Sequence, residues 1–173
     1  MRIRNAHDIT NHKIVPDGCM VTYSGIVINL LAPFDNEYLI EDIAHHLAFN
    51  CRWNGATKSY YSVAEHCCRM YDRLPEPLKK TGLFHDGEEA YWGDVIKPLK
   101  NLLSPELREC MRDMRKAIFK TFDVPPITAE VESADFEELK WDFDNLILSK
   151  RQTLSPYEAE QAWLERYFLT KFK

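Results

Sequence analysis

Four residues of this chain have the types that could together bind a divalent metal ion. His66 comes first, the adjacent pair His85 and Asp86 follows, and Asp135 lies further along the chain. Two imidazoles and two carboxylates can bind one cation and leave coordination positions open for water and a phosphate oxygen, as a hydrolytic metal site requires. Such a mixed nitrogen and oxygen set suits Zn, Mn or Co better than Mg, which prefers an all-oxygen shell and could instead arrive with a polyphosphate substrate.

The acidic residues after His85 allow two interpretations. If residues 78–92 form one helix, His85 and Glu89 lie on the same face, and Asp86 lies close to both. Neighbouring carboxylates in a partly buried pocket repel, and their pKa values rise unless a metal ion or a cationic side chain keeps them ionised. Alternatively, Asp86, Glu88 and Glu89 form a solvated acidic face and His85 is a satisfied core histidine. The spacing alone leaves both interpretations open.

The stretches around these residues resemble one family. They are residues 40–45, 51–55, 61–66, 84–90 and 93–100, with a looser continuation through Asp135. Their order is similar to that of the HD-domain phosphohydrolases, in particular the 5′-deoxynucleotidases and the small phage deoxyadenosine triphosphate triphosphohydrolases. The chain departs from many of these enzymes at Ala56, where they carry a histidine.

The resemblance implies a role for each matched position. It makes His66, His85, Asp86 and Asp135 the metal ligands, and it gives Glu89 and Asp94 the task of orienting the attacking water or moving its proton. The alternatives without a catalytic role are that Glu89 is a surface charge and that Asp94 solvates a helix end.

The same resemblance implies a nucleotide-binding set. Arg52 would grip phosphate through its planar guanidinium, and Trp53 would pack on the sugar or base. Lys97 and Lys100 would bracket the phosphates. The alternatives are a core aromatic for Trp53 and plain surface residues for the two lysines.

These implications predict a metal-dependent phosphohydrolase that acts on small deoxynucleotides. The leading expectation is a dATP-type deoxynucleoside triphosphate triphosphohydrolase. The alternatives are a 5′-deoxynucleotidase that releases phosphate from monophosphates, a cyclic-nucleotide or alarmone phosphodiesterase, and an idle HD fold that senses a nucleotide. Family members are commonly homo-oligomers, and we expect a contact among Trp163, Tyr167 and Phe168 of the last helix.

Size and composition restrict the class of protein. A chain of 173 residues, 45% of them hydrophobic, fits a single domain over residues 1–173. A formal net charge of -5 without a basic run argues against binding a nucleic-acid polymer. No apolar stretch is long enough to cross a membrane, and residues 1–5 lack an apolar signal core. The five cysteines lack metal-type spacing and favour a reduced, cytoplasmic protein with most thiols buried.

The pattern along the chain predicts an all-α bundle of about six or seven helices with a small N-terminal β-hairpin. Residues 21–28 read as a hairpin turning at Ser24 and Gly25. Apolar periodicity and capping signals then predict helices within residues 39–48, from Ser62 through His66, over 78–92, 104–122 and 128–148, and from 155 to about 168. The segment Ser62 to Glu65 has the form of a capping box.

Overall fold

The structure is a computed structural model that describes residues 15–171. Within this range a two-stranded hairpin is followed by eight α-helical segments, of which two are single turns of four residues. The strands and helices are β1 Cys19–Val21, β2 Val27–Asn29, α1 Ile40–Phe49, α2 Val63–Arg73, α3 Glu76–Phe84, α4 Glu89–Trp92, α5 Lys97–Lys100, α6 Pro105–Thr121, α7 Ala129–Asp142 and α8 Pro156–Lys171. Six of the α-helices in this range are longer than a single turn, so the predicted all-α bundle of about six or seven helices with a small hairpin is confirmed. The expectation about residues 1–5 lies outside the described residues.

The hairpin is tied to the first helix. β1 and β2 pair antiparallel with Met20 opposite Ile28, and the strands lie further from the turn than predicted because residues 22–26 form the loop. Ser24 donates from its backbone N–H and its hydroxyl to the two carboxylate oxygens of Asp42, at 2.8 and 2.7 Å. Asp42 is buried on α1, so these bonds fix the loop to the helix.

α2 begins where the sequence predicts, but only half of the capping box forms. The Ser62 hydroxyl accepts a hydrogen bond from the Glu65 N–H at 3.0 Å, which satisfies one free donor of the first turn. The Glu65 carboxylate does not return to the cap; it accepts from the Leu154 N–H at 2.9 Å. Glu65 therefore joins α2 to the segment before α8, and burial raises the pKa of its carboxyl to about 7.

The prediction of one helix over residues 78–92 is wrong. α3 ends at Phe84, residues 85–88 form turns, and α4 begins at Glu89. The backbone N–H of Gly87 bonds to the Phe84 carbonyl at 2.8 Å, three residues back rather than four, which tightens the chain here. His85 and Glu89 consequently do not share the face of a continuous helix.

α2 and α3 pack closely at Gly82. A Cβ at this position would overlap the Leu74 side chain and lie 3.3 Å from the Met70 carbonyl oxygen. The absence of a side chain therefore lets α3 approach α2, and this approach brings the turn after α3 next to the buried face of α2.

The later helices begin as predicted, and two of them end differently. Ser104 and Thr128 cap α6 and α7 through hydrogen bonds to Leu107 and Val131. α7 ends at Asp142 instead of near Leu148, and residues Phe143–Ile147 form a wider π-helical turn. Ser155 and Glu158 make a reciprocal capping box at the start of α8, which runs to Lys171.

The last helix contributes to the core, which corrects the expected oligomer contact. Trp163 and Tyr167 are 0% and 4% exposed, and their rings lie 5.1 and 5.9 Å from the ring of Phe84. Only Phe168 of the three is exposed. Aromatic residues every four positions on α8 face α3 because they complete the apolar core, so they are not free for a second copy of the chain.

Two smaller expectations can also be compared with the structure. The five cysteines are free thiols, but only Cys67 and Cys68 are buried, so the expectation that most are buried is wrong. Among residues 15–171, every helix is too short or too polar to span a bilayer.

Candidate metal centre

The candidate ligands come from three separate elements. His66 lies on the buried face of α2, His85 and Asp86 lie in the turn after α3, and Asp135 lies on α7. His66 and His85 are 0% and 4% exposed, whereas Asp135 is partly exposed. The three elements converge because α2 packs against both α3 and α7.

Three ligand atoms meet at distances that suit one metal ion. The Nε2 atoms of His66 and His85 are 3.1 Å apart, and Asp135 Oδ1 lies 3.1 Å from the first and 3.6 Å from the second. Atoms bound tetrahedrally at about 2.1 Å from one cation stand roughly 3.4 Å from each other. The donor set and its spacing therefore fit a metal ion.

Asp86 is the fourth predicted ligand, and it is shared with an arginine. Its Oδ2 lies 3.2 Å from His85 Nε2 and 3.8 Å from His66 Nε2. The same oxygen accepts from Arg52 Nη1 at 3.2 Å. The structure thus brings all four predicted ligands together, with three of them forming the tighter group.

The electrostatics of this cluster favour a positive charge at its centre. Burial opposes the imidazolium of His85, but Asp86 and Asp135 outweigh it and raise the pKa of His85 well above its usual value. Burial likewise opposes the two carboxylates, yet the histidines lower the pKa of both Asp86 and Asp135. A proton on His85 compensates the carboxylates here, and a cation bound between the ligands would do the same.

Arg52 and Trp53 sit in an unusual turn between α1 and α2. Trp53 and Asn54 have φ angles of 58° and 51°, in the left-handed region that non-glycine residues rarely adopt. This conformation aims the Trp53 backbone N–H at Asp94 Oδ2 at 2.8 Å and its indole N–H at Asp142 Oδ2 at 3.4 Å. Backbone strain of this kind is tolerated where surrounding contacts hold it, and it clusters at functional sites.

The alternatives for these two residues can be weighed from their surroundings. Trp53 is only partly buried and belongs to neither buried apolar cluster, so the core-aromatic alternative is wrong. Its ring lines a small cavity of about 320 Å³ with Phe143. Arg52 is 7% exposed, and the carboxylates of Asp86 and Asp142 outweigh its desolvation and raise its pKa.

Glu89 is buried rather than solvated. It is 4% exposed, its Oε1 lies 3.5 Å from Lys100 Nζ, and its Oε2 has no hydrogen-bond partner among residues 15–171. Burial, together with Asp86 and Asp94, raises the pKa of the Glu89 carboxyl well above its usual value. Glu88 is 3% exposed, so the interpretation of residues 86–89 as a solvated acidic face is wrong.

The predicted phosphate-binding lysines differ in their surroundings. Lys100 is partly buried beside Glu89, and the carboxylates of Glu89 and Glu88 outweigh burial and raise its pKa. Lys97 is exposed and makes no ion pair with the described residues. The structure therefore places Lys100, but not Lys97, in contact with another predicted site residue.

The largest opening beside the ligands was not evident from the sequence. A cleft of about 710 Å³ has His85, Asp86 and Asp135 on one side. Its other walls include four residues of α6, namely Arg115, Lys116, Phe119 and Lys120. Basic residues on the polar face of an amphipathic helix usually indicate only a solvated surface, so no sequence signal distinguishes them.

Not every predicted residue faces this cleft. Glu89 lines a second cavity of about 490 Å³ with His46 and Asn50, and Trp53 lines the small cavity near Phe143. The predicted metal ligands and the predicted nucleotide-binding residues therefore touch through the hydrogen bond from Arg52 to Asp86, but they do not line one continuous pocket.

Sequence comparisons give two relatives. The chain is 35% identical over 126 residues to an uncharacterized protein of Rhodobacter capsulatus, a match that spans 65% of this chain and 64% of the relative. It is 33% identical over 101 residues to the uncharacterized protein YfdR of Escherichia coli K12, spanning 58% of this chain and 56% of that protein. No family model matches the chain. The chain thus spans less than two thirds of each relative, and neither name describes an activity.

Proposed function

We propose that this protein is a metal-dependent phosphohydrolase of the HD type that acts on small deoxynucleotides, foremost a dATP-type deoxynucleoside triphosphate. The observation that carries the proposal is the convergence of two histidines and two aspartates, of which His85, Asp86 and Asp135 line an open cleft. The resemblance of the surrounding sequence blocks to HD-domain phosphohydrolases supports the same reaction class. The native metal is proposed to be Zn, Mn or Co, with Mg entering alongside the substrate phosphates.

In the proposed reaction, water bonds to the α-phosphorus and the bond from this phosphorus to the 5′ oxygen breaks. The leaving oxygen takes up a proton, so the products are a deoxynucleoside and triphosphate. A bound divalent cation would polarise the water and neutralise a phosphoryl oxygen. Glu89 is the proposed proton carrier, because a buried carboxyl with a raised pKa holds a proton more readily than an exposed one.

Two further groups are proposed to position the substrate. Arg52 uses two of its N–H groups on Asp86 and Asp142, which leaves others to reach a phosphate oxygen. Asp94 fixes the backbone of Trp53, so its proposed contribution is to hold the aromatic ring in place as well as to assist proton movement.

The α6 wall of the cleft carries cations that suit a longer phosphate chain, while Asp123 and Glu132 line other parts of the same cleft. A triphosphate carries more negative charge than a monophosphate, and the α6 wall supplies Arg115, Lys116 and Lys120. Lys120 makes no ion pair within residues 15–171, so its charge is available to a ligand. The cleft volume of about 710 Å³ gives room for phosphates beyond the one attacked.

A monophosphatase is the second candidate. Arg115 lies 3.6 Å from the buried Glu88, and Lys116 pairs with Asp113 at 2.7 Å, so two of the three cations already have partners. A monophosphate needs fewer free cations. Both reactions break the same bond to the 5′ oxygen, and they differ in what remains attached to the phosphorus.

The test is to incubate the purified protein with dATP, dAMP and other deoxynucleotides in Zn, Mn, Co or Mg, and to resolve the products by anion-exchange chromatography. Deoxyadenosine and triphosphate from dATP are expected, and the His85→Ala variant serves as the inactive control. Orthophosphate from dAMP alone would favour the monophosphatase. Nucleotide binding without any product would identify a sensor and reject the enzymatic proposal.

A further inference from the structure

Asp142 is a buried carboxylate that connects the candidate metal centre to the nucleotide-binding turn. It is 0% exposed and is the last residue of α7. Its Oδ2 accepts from Arg52 Nε at 3.3 Å and from the indole N–H of Trp53 at 3.4 Å, and it lies 3.9 Å from His66 Nδ1. Sequence reasoning assigned Asp142 no role.

The two candidate metal-binding histidines differ in whether the ring nitrogen that points away from the cluster, Nδ1, makes a hydrogen bond. His85 turns Nε2 to the cluster and hydrogen bonds through Nδ1 to the Gly82 carbonyl at 2.7 Å, so the nitrogen away from the cluster is satisfied. His66 also turns Nε2 to the cluster, but its buried Nδ1 has no hydrogen-bond partner among the described residues. An imidazole that binds metal through Nε2 carries its proton on Nδ1, and this proton needs an acceptor.

Asp142 is the acceptor within reach of that proton. Its Oδ1 is buried and, like His66 Nδ1, has no partner within residues 15–171. A buried donor and a buried acceptor that both lack partners are costly, and the two residues are less than an ångström beyond hydrogen-bond distance. The shortest recorded approach is 3.9 Å, from His66 Nδ1 to Asp142 Oδ2, so the two groups are neighbours that do not yet form a hydrogen bond.

We propose that Asp142 is a positioning residue that accepts the Nδ1–H of His66, holds this imidazole in its metal-binding tautomer, and anchors Arg52 and Trp53 through the same carboxylate. The inference rests on the metal site of the proposed function and deepens it. Because one carboxylate serves both sets, the geometry of the metal ligand and that of the nucleotide-binding turn are coupled.

The local backbone supports this role. The chain changes from α-helix to the wider π-helical turn immediately after Asp142, and such turns are frequent at functional sites. The strained turn at Trp53 brings its indole N–H to the same carboxylate. Two unusual backbone segments therefore meet at one buried acid.

The test is Asp142→Asn, compared with wild type for Zn and Mn affinity by competition with a chromophoric chelator. Three donors converge on Asp142, and an amide offers only one acceptor oxygen, so at least one donor loses its partner. We expect metal affinity to fall on the order of 10- to 100-fold, as for loss of other carboxylates that orient metal-bound histidines.

Glu138→Gln is the matched control. Glu138 is also buried on α7, at 1% exposure, and its carboxylate bridges Arg69 and Arg73 at 2.7 Å each. Its hydrogen bonds and ion pairs within residues 15–171 go to Arg69 and Arg73 and not to the ligand cluster, so this variant should lose stability but keep wild-type metal affinity.

The outcomes separate the two proposals. If Asp142→Asn binds metal within about twofold of wild type, or if Glu138→Gln loses as much affinity, the positioning role is wrong while the metal site stands. If wild type itself binds neither metal, the proposed function fails as well. Should Asp142→Asn not fold, proton NMR of the zinc-loaded wild type decides: the His66 Nδ1–H must resonate far downfield and exchange slowly, as a hydrogen bond to a carboxylate requires, and an Nδ1–H without these signs overturns the inference while the metal site stands.

Discussion

Replacing Trp53 by alanine distinguishes a nucleotide contact from a structural aromatic residue. The ring is partly buried, lies 6.2 Å from the Phe143 ring centroid and makes one long hydrogen bond to Asp142. Full burial of a large apolar side chain contributes about 1.5–3 kcal/mol, so truncating this partly buried ring should cost about 1–2 kcal/mol of unfolding free energy. At about 2–4 °C per kcal/mol for a chain of this size, Tm should fall by roughly 2–8 °C.

The kinetic effect should be larger in KM than in turnover. An aromatic stacking contact is worth about 0.5–1.5 kcal/mol beyond the buried area, so loss of the ring should raise KM roughly two- to twelvefold. Turnover should stay within about twofold, because this contact is made equally in the ground state and the transition state. Thermal melting by circular dichroism, followed by steady-state kinetics on the folded fraction, measures both.

Two companion variants sharpen this test. Trp163 is fully buried and donates to the Leu83 carbonyl at 3.2 Å, so Trp163→Ala should cost about 3–5 kcal/mol with an unchanged KM. Trp53→Gly should be at least as stable as Trp53→Ala, because a φ of 58° costs alanine about 1–2 kcal/mol and glycine little. If Trp53→Ala lowers Tm as much as Trp163→Ala and leaves KM unchanged, Trp53 is not a substrate contact.

Three further predictions concern the metal centre and the proposed proton carrier. His85→Ala and Asp86→Ala should each abolish hydrolysis and stoichiometric metal binding, because each removes one of four ligands. Metal analysis after dialysis checks this. If either variant retains metal and normal turnover, the metal site lies elsewhere. Metal at about 100 times its Kd should stabilise wild type by about 2.7 kcal/mol, roughly 5–10 °C in Tm, and leave His85→Ala unmoved. Glu89→Gln should keep the metal yet lose about 100-fold or more in turnover, with the buried neighbour Glu88→Gln as control; a loss of metal instead would make Glu89 a ligand.

Sequence patterns predicted the helices whose signals are local. The hydroxyl caps at Ser62, Ser104 and Thr128 and the capping box at Ser155 each mark a helix start because the bond they make lies within one turn of the chain. The four candidate ligands were also predicted from their residue types and order, and the structure brings their side chains together.

The errors lie where tertiary contacts override local preference. Apolar residues at helical spacing on both sides of residues 85–88 suggested one helix, yet the chain tightens there to present His85 to His66, and α4 starts anew at Glu89. The aromatic residues of α8 gave no sign of which face is buried. Neither periodicity nor capping encodes which surface of a helix another helix covers.

Asp142 shows why the remaining part of the site was not predictable. Its importance depends on three donors that come from residues 52, 53 and 66, far away in sequence, and on a π-helical turn that follows it directly. An aspartate near the end of a predicted helix otherwise indicates no more than a solvated charge. Predictions from local sequence are expected to fail at functional sites, where energetically unfavourable features are tolerated. Three such features occur here within residues 15–171: the buried carboxylate of Asp142, the left-handed backbone of Trp53, and the His66 Nδ1 atom without a hydrogen-bond partner. Each is unfavourable alone, and a metal ion on His66 Nε2 would account for the histidine and the acid together, because it fixes the proton that Asp142 is placed to accept.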